Sequence, residues 1–234
     1  MAISGLLLQR LLRNPLASPD ILGLSAGATL AVMLALIIFG GALLGAVLPA
    51  LMALLGISLG ALLNAALQFV LAKGSGDSFA LLGWLAGSTY RATPAQALWL
   101  TVGVLLFGAL AVLFQRGLTL IGIGDGVAAS RGLNVPRLRL VLLVLVALLC
   151  ALVTSLLGPV AFLGLLAPHI AVMLGAHRVL PQLLLAASLG AVLMLLADWV
   201  GRTLIFPLQI PVGIVASVLC GSYFVYLLIR GRLA

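Results

Sequence analysis

Few residues in this chain are suited to catalysis. The chain has only four acidic residues, all of them aspartates, and two histidines. His169 follows a proline inside an apolar run, which predicts a packed or capping histidine. Cys150 and Cys220 also fall in apolar runs, far apart in sequence, which predicts small buried hydrophobic residues and no metal site. No nucleophile stands beside a base, so the sequence argues against an enzyme.

Two ionisable residues stand four positions apart at the end of an apolar run. Asp198 and Arg202 would share one face of a helix, where they can pair. Two hypotheses follow, a local pair at the helix end or an arginine that meets an acidic partner outside the membrane. Because Asp198 is the only candidate for an embedded carboxylate, the sequence argues against a proton- or sodium-driven transporter. No T-V-G-Y-G filter motif is present, which argues against a potassium-type channel.

The longest polar interruption covers residues 115–139. It holds one acid, Asp125, and four arginines, namely Arg116, Arg131, Arg137 and Arg139. Since loops rich in Lys and Arg resist translocation, we expect this one to lie in the cytoplasm. Residues 126–133 predict a short helix that fits a groove on a cytoplasmic partner and is held there by Arg131. Its small face would hold Ala128, Ala129 and Gly132. The alternative is a solvated basic loop.

The composition predicts a polytopic membrane protein with one membrane domain over residues 1–234. The chain is 65% hydrophobic and 7% charged, with a net charge of +8. A soluble domain cannot hide so much apolar surface. The basic residues lie between apolar runs, so they indicate topology and not nucleic-acid binding.

The apolar runs predict crossing helices over residues 21–39, 97–114, 140–157, 182–200 and 212–229, and residues 160–174 are expected to turn back between the third and fourth of these. The run 42–72 is too long for one crossing and too short for two. Two crossings place nine basic residues inside and three outside, which we favour, and we expect sequence to be missing near residues 48–55. Residues 1–12 are too short to span a bilayer.

Several ordered motifs resemble those of the iron–siderophore and vitamin B12 family of ABC importer permeases. They are N-P-L-A at 14–17, L-G-L-S-A-G-A at 22–28, G-P-V-A-F-L-G-L-L-A-P-H-I at 158–170, A-D-W-V-G-R at 197–202 and P-V-G at 211–213. Residues 83–90 and 197–211 are similar to the second half of ferric hydroxamate (ferrichrome-type) permeases in particular.

The resemblance implies an all-α, polytopic bundle with the type II ABC importer permease fold. About eight of the ten family helices would be represented, some of them incomplete. It implies a multi-pass protein of the bacterial inner membrane that carries a ferric siderophore inward. Its partners would be a cytoplasmic ABC ATPase dimer, a periplasmic or lipid-anchored siderophore-binding protein, and a second permease unit or half. ATP would bind to the partner subunit, and the chain itself would hold no cofactor.

The resemblance also implies roles for individual residues. The ATPase-coupling loop would contain Gly124, Asp125, Gly126, Ala128, Ala129, Arg131, Gly132 and Leu133. Arg202 would dock the binding protein, whose lobes carry acidic residues. The expected translocation path includes Gly87, Ser88, Thr89 and Asp198.

The chain departs from the family pattern in two places. The first helix, the start of the second, and most of the fourth helix with its following loop have no counterpart. We therefore expect a fragment, or a second half whose first half is encoded separately. The expected function is a permease for a ferric siderophore of the hydroxamate type. Alternatives are a vitamin B12 or haem permease, a truncated and transport-inactive fragment, and, third, a secondary transporter.

Overall fold

The described part of the chain consists of α-helices joined by turns and loops. The computed structural model describes residues 1–19, 85–90, 92–206 and 208–229, with the isolated positions 65 and 83. These residues form eight α-helices and no strand. The helices are α1 Ala2–Leu12, α2 Pro94–Leu113, α3 Gln115–Ile123, α4 Asp125–Ser130, α5 Val135–Leu157, α6 Leu163–Met173, α7 Val179–Thr203 and α8 Val212–Ile229. The all-α prediction is confirmed. The predicted helix over 21–39 and the run 42–72, apart from position 65, lie outside the described residues.

Three of these helices, α2, α5 and α7, are long and apolar enough to cross a membrane. All three begin earlier than the apolar runs predict. Thr93 and Gln96 form a capping box at the start of α2. Asn134 accepts the Arg137 backbone N–H, 3.1 Å away, at the start of α5. Proline follows each cap at the first or second helical position, where its missing N–H costs nothing.

Helix α1 lies in the middle of the bundle, where it packs against α3, α5, α6 and α7. Leu6 and Leu7 are fully buried. They share one hydrophobic cluster with Leu142 and Leu149 of α5 and with Leu183 of α7. A second cluster joins α6, α7 and α8. The first cluster fixes one half of α7 and the second fixes the other half.

The backbones of α1 and α6 are in direct contact. A Cβ atom added to Gly5 would lie 1.7 Å from the carbonyl oxygen of Gly164. Pro168, four residues further along α6, has no N–H to bond that carbonyl. The two helices therefore approach more closely than any side chain at Gly5 would allow, as is common between packed membrane helices.

Polar side chains of α1 also form hydrogen bonds to α6, to α7 and to the connection between them. Gln9 of α1 donates to the carbonyl oxygen of Leu165 at 3.3 Å. Arg10 donates through Nε to Gln182 Oε1 of α7 at 2.9 Å and through Nη2 to the carbonyl oxygen of His177 at 2.8 Å. Gln9 and Gln182 are both buried. These bonds join α1 to the connection between α6 and α7.

Candidate functional site at the two ends of helix α7

The predicted cytoplasmic loop contains two helices joined by Gly124. Helix α3 fills residues that the sequence left as a loop, and α4 ends at Ser130 although the sequence predicted helix over 126–133. Leu118 and Ile121 of α3 are fully buried, three residues apart, which is the helical spacing. This apolar pattern is short, and the arginine and glycines next to it are typical of a loop, so the sequence did not predict α3.

Gly132 ends α4 in a conformation that favours glycine. Its φ is +80°, in the left-handed region. The Gly132 N–H donates to the Ala129 carbonyl at 2.9 Å, and the Leu133 N–H donates to the Ala128 carbonyl at 3.1 Å. This pair of bonds is the Schellman motif, and Leu133 packs on the small cluster around Ala128 that completes it. Gly132 therefore fixes how the chain leaves α4.

Ala128 and Ala129, both predicted for the small face, differ in exposure. Ala128 is fully buried, in a cluster with Ile121 and Val135, so it contacts its own bundle and is not available to a partner. Among the described residues, the exposed positions of this segment are Gly126, Val127, Ala129, Ser130, Arg131 and Gly132. The exposed surface therefore includes Ala129 and Gly132 of the predicted small face but not Ala128.

Asp125 makes contacts that no sequence pattern indicated. Its carboxylate pairs with Arg13, which follows α1, and with Arg139 in α5. The Arg139 Nη2 atom lies 2.9 Å from Asp125 Oδ2 and 3.1 Å from Oδ1. Arg13 also donates to the carbonyl oxygen of Ile121. The start of α4 is thus tied to three other elements.

The predicted pair at the far end of α7 is present. Arg202 Nε lies 2.8 Å from Asp198 Oδ2, on the same helix face. The other carboxylate oxygen of Asp198 accepts a short hydrogen bond from the Thr89 hydroxyl. The Arg202 side chain is 47% exposed and that of Asp198 is 28% exposed. The Arg202 side chain is therefore partly exposed, and the pair has a second attachment, through Thr89, to residues 85–90.

Three backbone segments meet beside that pair. The Gly213 N–H donates to the Gly87 carbonyl oxygen at 2.8 Å, and the Ser88 N–H donates to the Leu157 carbonyl oxygen at 2.9 Å. Gly87 has a φ of +70°, and a Cβ atom there would lie 2.4 Å from the Pro159 carbonyl oxygen. We call this contact of Gly87, Pro159 and Gly213 the glycine junction. Only residues without side chains fit its two glycine positions.

Cavities lie on both sides of the glycine junction. One of about 80 Å³ is lined by Ser88, Thr89, Tyr90, Asp198, Arg202, Gln209, Ile210, Pro211 and Val212. The other, an open and mostly apolar groove of about 410 Å³, is lined by Leu85, Ala86, Pro159, Ala161, Gly213, Ile214, Ser217 and Val218. Three of the four residues predicted for a translocation path, Thr89, Ser88 and Asp198, line the smaller cavity. Gly87 lies at the junction between the two.

The two polar regions lie at opposite ends of α7. Near its start, Gln182 is bonded to Arg10 of α1, the helix whose following residue, Arg13, holds Asp125. Asp198 and Arg202 lie at its other end. Twenty helical residues from Gln182 to Arg202 span about 30 Å, which matches the thickness of a bilayer core. Gln182 and Arg202 are therefore separated by about the thickness of a bilayer core, and Asp125 is linked to the Gln182 end through Arg13 and α1.

The remaining candidates form no reactive site in the described ranges. His169 lies within α6, and its Nε2 atom has no hydrogen-bond partner among the described residues. Both cysteines are buried. No group of three histidine, cysteine or acidic residues that could hold a metal ion occurs in the part of the chain that the structure describes.

Comparisons with known proteins agree with this architecture. The model of the FecCD transport family matches residues 1–53 and 44–230. The iron(3+)-hydroxamate import system permease protein FhuB of Salmonella typhimurium is 36% identical over 97% of this chain and 37% of its own length. The Fe(3+)-citrate import system permease protein YfmE of Bacillus subtilis is 36% identical over 97% of this chain and 76% of its own length. The chain thus spans less than two-fifths of FhuB.

The alignment with FhuB contains gaps in this chain. With FhuB, 97% of 234 residues, about 227, occupy 252 aligned positions, so at least about 25 positions face a gap in this chain. The two matched pieces of the family model overlap at residues 44–53. The absence of sequence near residues 48–55 stays a prediction.

A solved structure has the same fold. It is a chain of a metal-chelate type ABC transporter in an inward-facing conformation, with a TM-score of 0.83 and 24% identity, over 98% of this chain and 81% of that one. The helical order, the match over nearly the whole sequence and this likeness agree. The chain belongs to the FecCD transport family.

Proposed function

We propose that this chain is a membrane-spanning permease subunit of an ATP-driven importer of ferric siderophores, of the hydroxamate type, in the bacterial inner membrane. The observation that carries the proposal is that Arg202 lies at one end of α7, whereas the other end is bonded to α1, which is linked to α4 through Arg13 and Asp125. A groove lies beside the glycine junction. The names of FhuB and YfmE, both permeases of iron-chelate import systems, support the substrate class.

The proposed partners would bind at the two ends of α7. At one end, the exposed residues of α4 and Arg131 would dock on a cytoplasmic ABC ATPase dimer, which would bind and hydrolyse the ATP. At the other end, the partly exposed side chain of Arg202 would pair with an acidic residue of a periplasmic or lipid-anchored siderophore-binding protein. The substrate would pass beside residues 85–90, between this chain and a second permease unit or half.

The first test is the side of the membrane on which Ser130 lies. A single cysteine replaces Ser130 in a chain without Cys150 and Cys220, and intact cells with a permeabilised outer membrane receive an impermeant thiol reagent. We expect labelling only after the inner membrane is opened. Labelling from outside would contradict the proposal, because α4 could not reach an ATPase.

The second test is uptake of iron supplied as a ferric hydroxamate, with vitamin B12 and haem as competing substrates. We expect uptake that stops on ATP depletion and survives collapse of the proton gradient. The reverse pattern would favour a secondary transporter. Absence of both uptake and ATPase co-purification would favour a transport-inactive fragment.

A further inference from the structure

Asp125 is the only acid among residues 115–139, and two arginines from separate elements converge on it. Arg13 follows α1, and Arg139 lies in the second turn of α5. Each oxygen of the carboxylate already has an internal partner, since Arg139 reaches both and Arg13 reaches Oδ1. The carboxylate of Asp125 is therefore engaged by its own bundle.

Arg13 does more than neutralise this acid. Its Nε and Nη2 atoms donate to the carbonyl oxygen of Ile121 at 2.9 Å and 2.6 Å. Ile121 lies in the last turn of α3, so one guanidinium joins the end of α3 to the start of α4. Arg13 has a φ of 51°, a left-handed conformation that costs a non-glycine residue energy and that its surroundings must hold in place.

Through α1, Arg13 is also connected to the core of the bundle. Three residues before Arg13, Arg10 of α1 bonds Gln182 and the His177 carbonyl oxygen. Helix α1 itself is buried against α5, α6 and α7. A displacement of α4 that preserves the Asp125 contacts must therefore move α1 as well.

We infer that Asp125 is a positioning residue that holds α4 against α1 and α5 through Arg13 and Arg139, and that it is not itself a contact to the ATPase. The inference rests on the proposed function, because the orientation of α4 matters for transport only if α4 docks. The side chains of Arg13, Asp125 and Arg139 are 39–47% exposed, so each pair alone contributes little. Their shared carboxylate makes them a network, in which loss of one member weakens the rest.

The test uses the full chain in lipid bilayers, without partners, and a spin label on Ser130→Cys in the chain lacking the other cysteines. We expect Asp125→Asn, Arg13→Gln and Arg139→Gln to increase the mobility of the label. The matched control is Arg137→Gln, which removes the same charge from an exposed side chain of α5 and should leave the mobility unchanged. The double variant Asp125→Asn/Arg139→Gln should move the label no more than Asp125→Asn alone, because both changes break the same contact between Asp125 and Arg139.

A second readout uses the complex with the ATPase. We expect Asp125→Asn to keep ATPase co-purification and to lower the substrate transported per ATP hydrolysed about three- to five-fold, as the loss of an exposed ion-pair network allows. Unchanged label mobility in Asp125→Asn would overturn the inference, and so would loss of ATPase binding with an unmoved label. If the unaltered chain binds no ATPase, the proposed function fails, while the label still decides whether Asp125 holds α4.

Discussion

Gly213 offers a sharp test of the glycine junction, because the same helix contains a matched control. A Cβ atom at Gly213 would lie 2.3 Å from the Ala86 carbonyl oxygen, 3.0 Å from that of Pro159 and 3.1 Å from the Gly87 Cα atom. At Gly221, also in α8, the nearest atom would be a ring carbon of Phe162 at 3.8 Å, an ordinary contact. The variants Gly213→Ala and Gly221→Ala therefore add the same methyl group to one helix, with and without a clash.

The expected free-energy changes have opposite signs. To reach ordinary contact, the backbone around Gly213 must move by about 1 Å, an overpacking that costs about 1–3 kcal/mol. That movement also stretches the hydrogen bond from the Gly213 N–H to the Gly87 carbonyl, worth about 0.5–1.5 kcal/mol. Alanine favours the helix over glycine by about 0.5–1 kcal/mol at either position. We expect Gly221→Ala to be neutral or slightly stabilising and Gly213→Ala to be less stable than it by about 2–4 kcal/mol.

The assay is reversible denaturant unfolding of both variants in one detergent, followed by helical circular dichroism, with uptake of ferric hydroxamate measured in parallel. We expect Gly213→Ala to lose uptake and Gly221→Ala to keep it. Equal stabilities within about 0.5 kcal/mol, the size of an ordinary surface effect, would refute the close contact of Gly213 with residues 86–87.

Three further predictions concern other contacts. Gly5→Ala should lower the free energy of unfolding by more than about 2 kcal/mol because its Cβ atom would overlap the α6 backbone, whereas Gly122→Ala meets nothing within 4 Å and should not; equal unfolding midpoints would contradict the α1–α6 contact. Gly132→Leu should cost about 1–2 kcal/mol by strain alone, because the space around it is open, and should uncouple ATP hydrolysis from uptake, while Gly132→Asn, which tolerates the left-handed region, should be milder. Normal coupling in Gly132→Leu would argue against docking of α4. Arg202→Glu should weaken affinity for the binding protein at least ten-fold at low salt, measured on immobilised vesicles, and an unchanged affinity would remove the docking role.

Hydropathy and local pairing predicted much of the fold. The long apolar runs place α2, α5, α7 and α8 correctly, because a helix in lipid must bond its own backbone and expose apolar side chains. The pair Asp198 and Arg202 was predicted from its spacing, since residues four apart meet on any helix. Helix α3 was missed because its apolar signal is short and its glycines and arginine resemble a loop.

The long-range contacts had no local signal. Arg13 and Asp125 are 112 positions apart in sequence, and Thr89 and Asp198 are 109 apart. Such pairs depend on which helices become neighbours, and single-residue types do not encode that. The burial of Ala128 has the same origin, because the direction in which α4 faces is set by α3 and α5 and not by its own six residues.

The glycine junction also has a consequence for how a permease of this kind could change its substrate. Its bonds run from main chain to main chain, through Gly87, Ser88 and Gly213, and no side chain contributes to them. The neighbouring groove, in contrast, is lined by side chains such as Ile214, Ser217 and Val218. Substitutions there alter the shape and polarity of the groove while the backbone frame stays intact. If the groove lies on the proposed substrate path, such substitutions would change which substrates fit while the surrounding fold is kept.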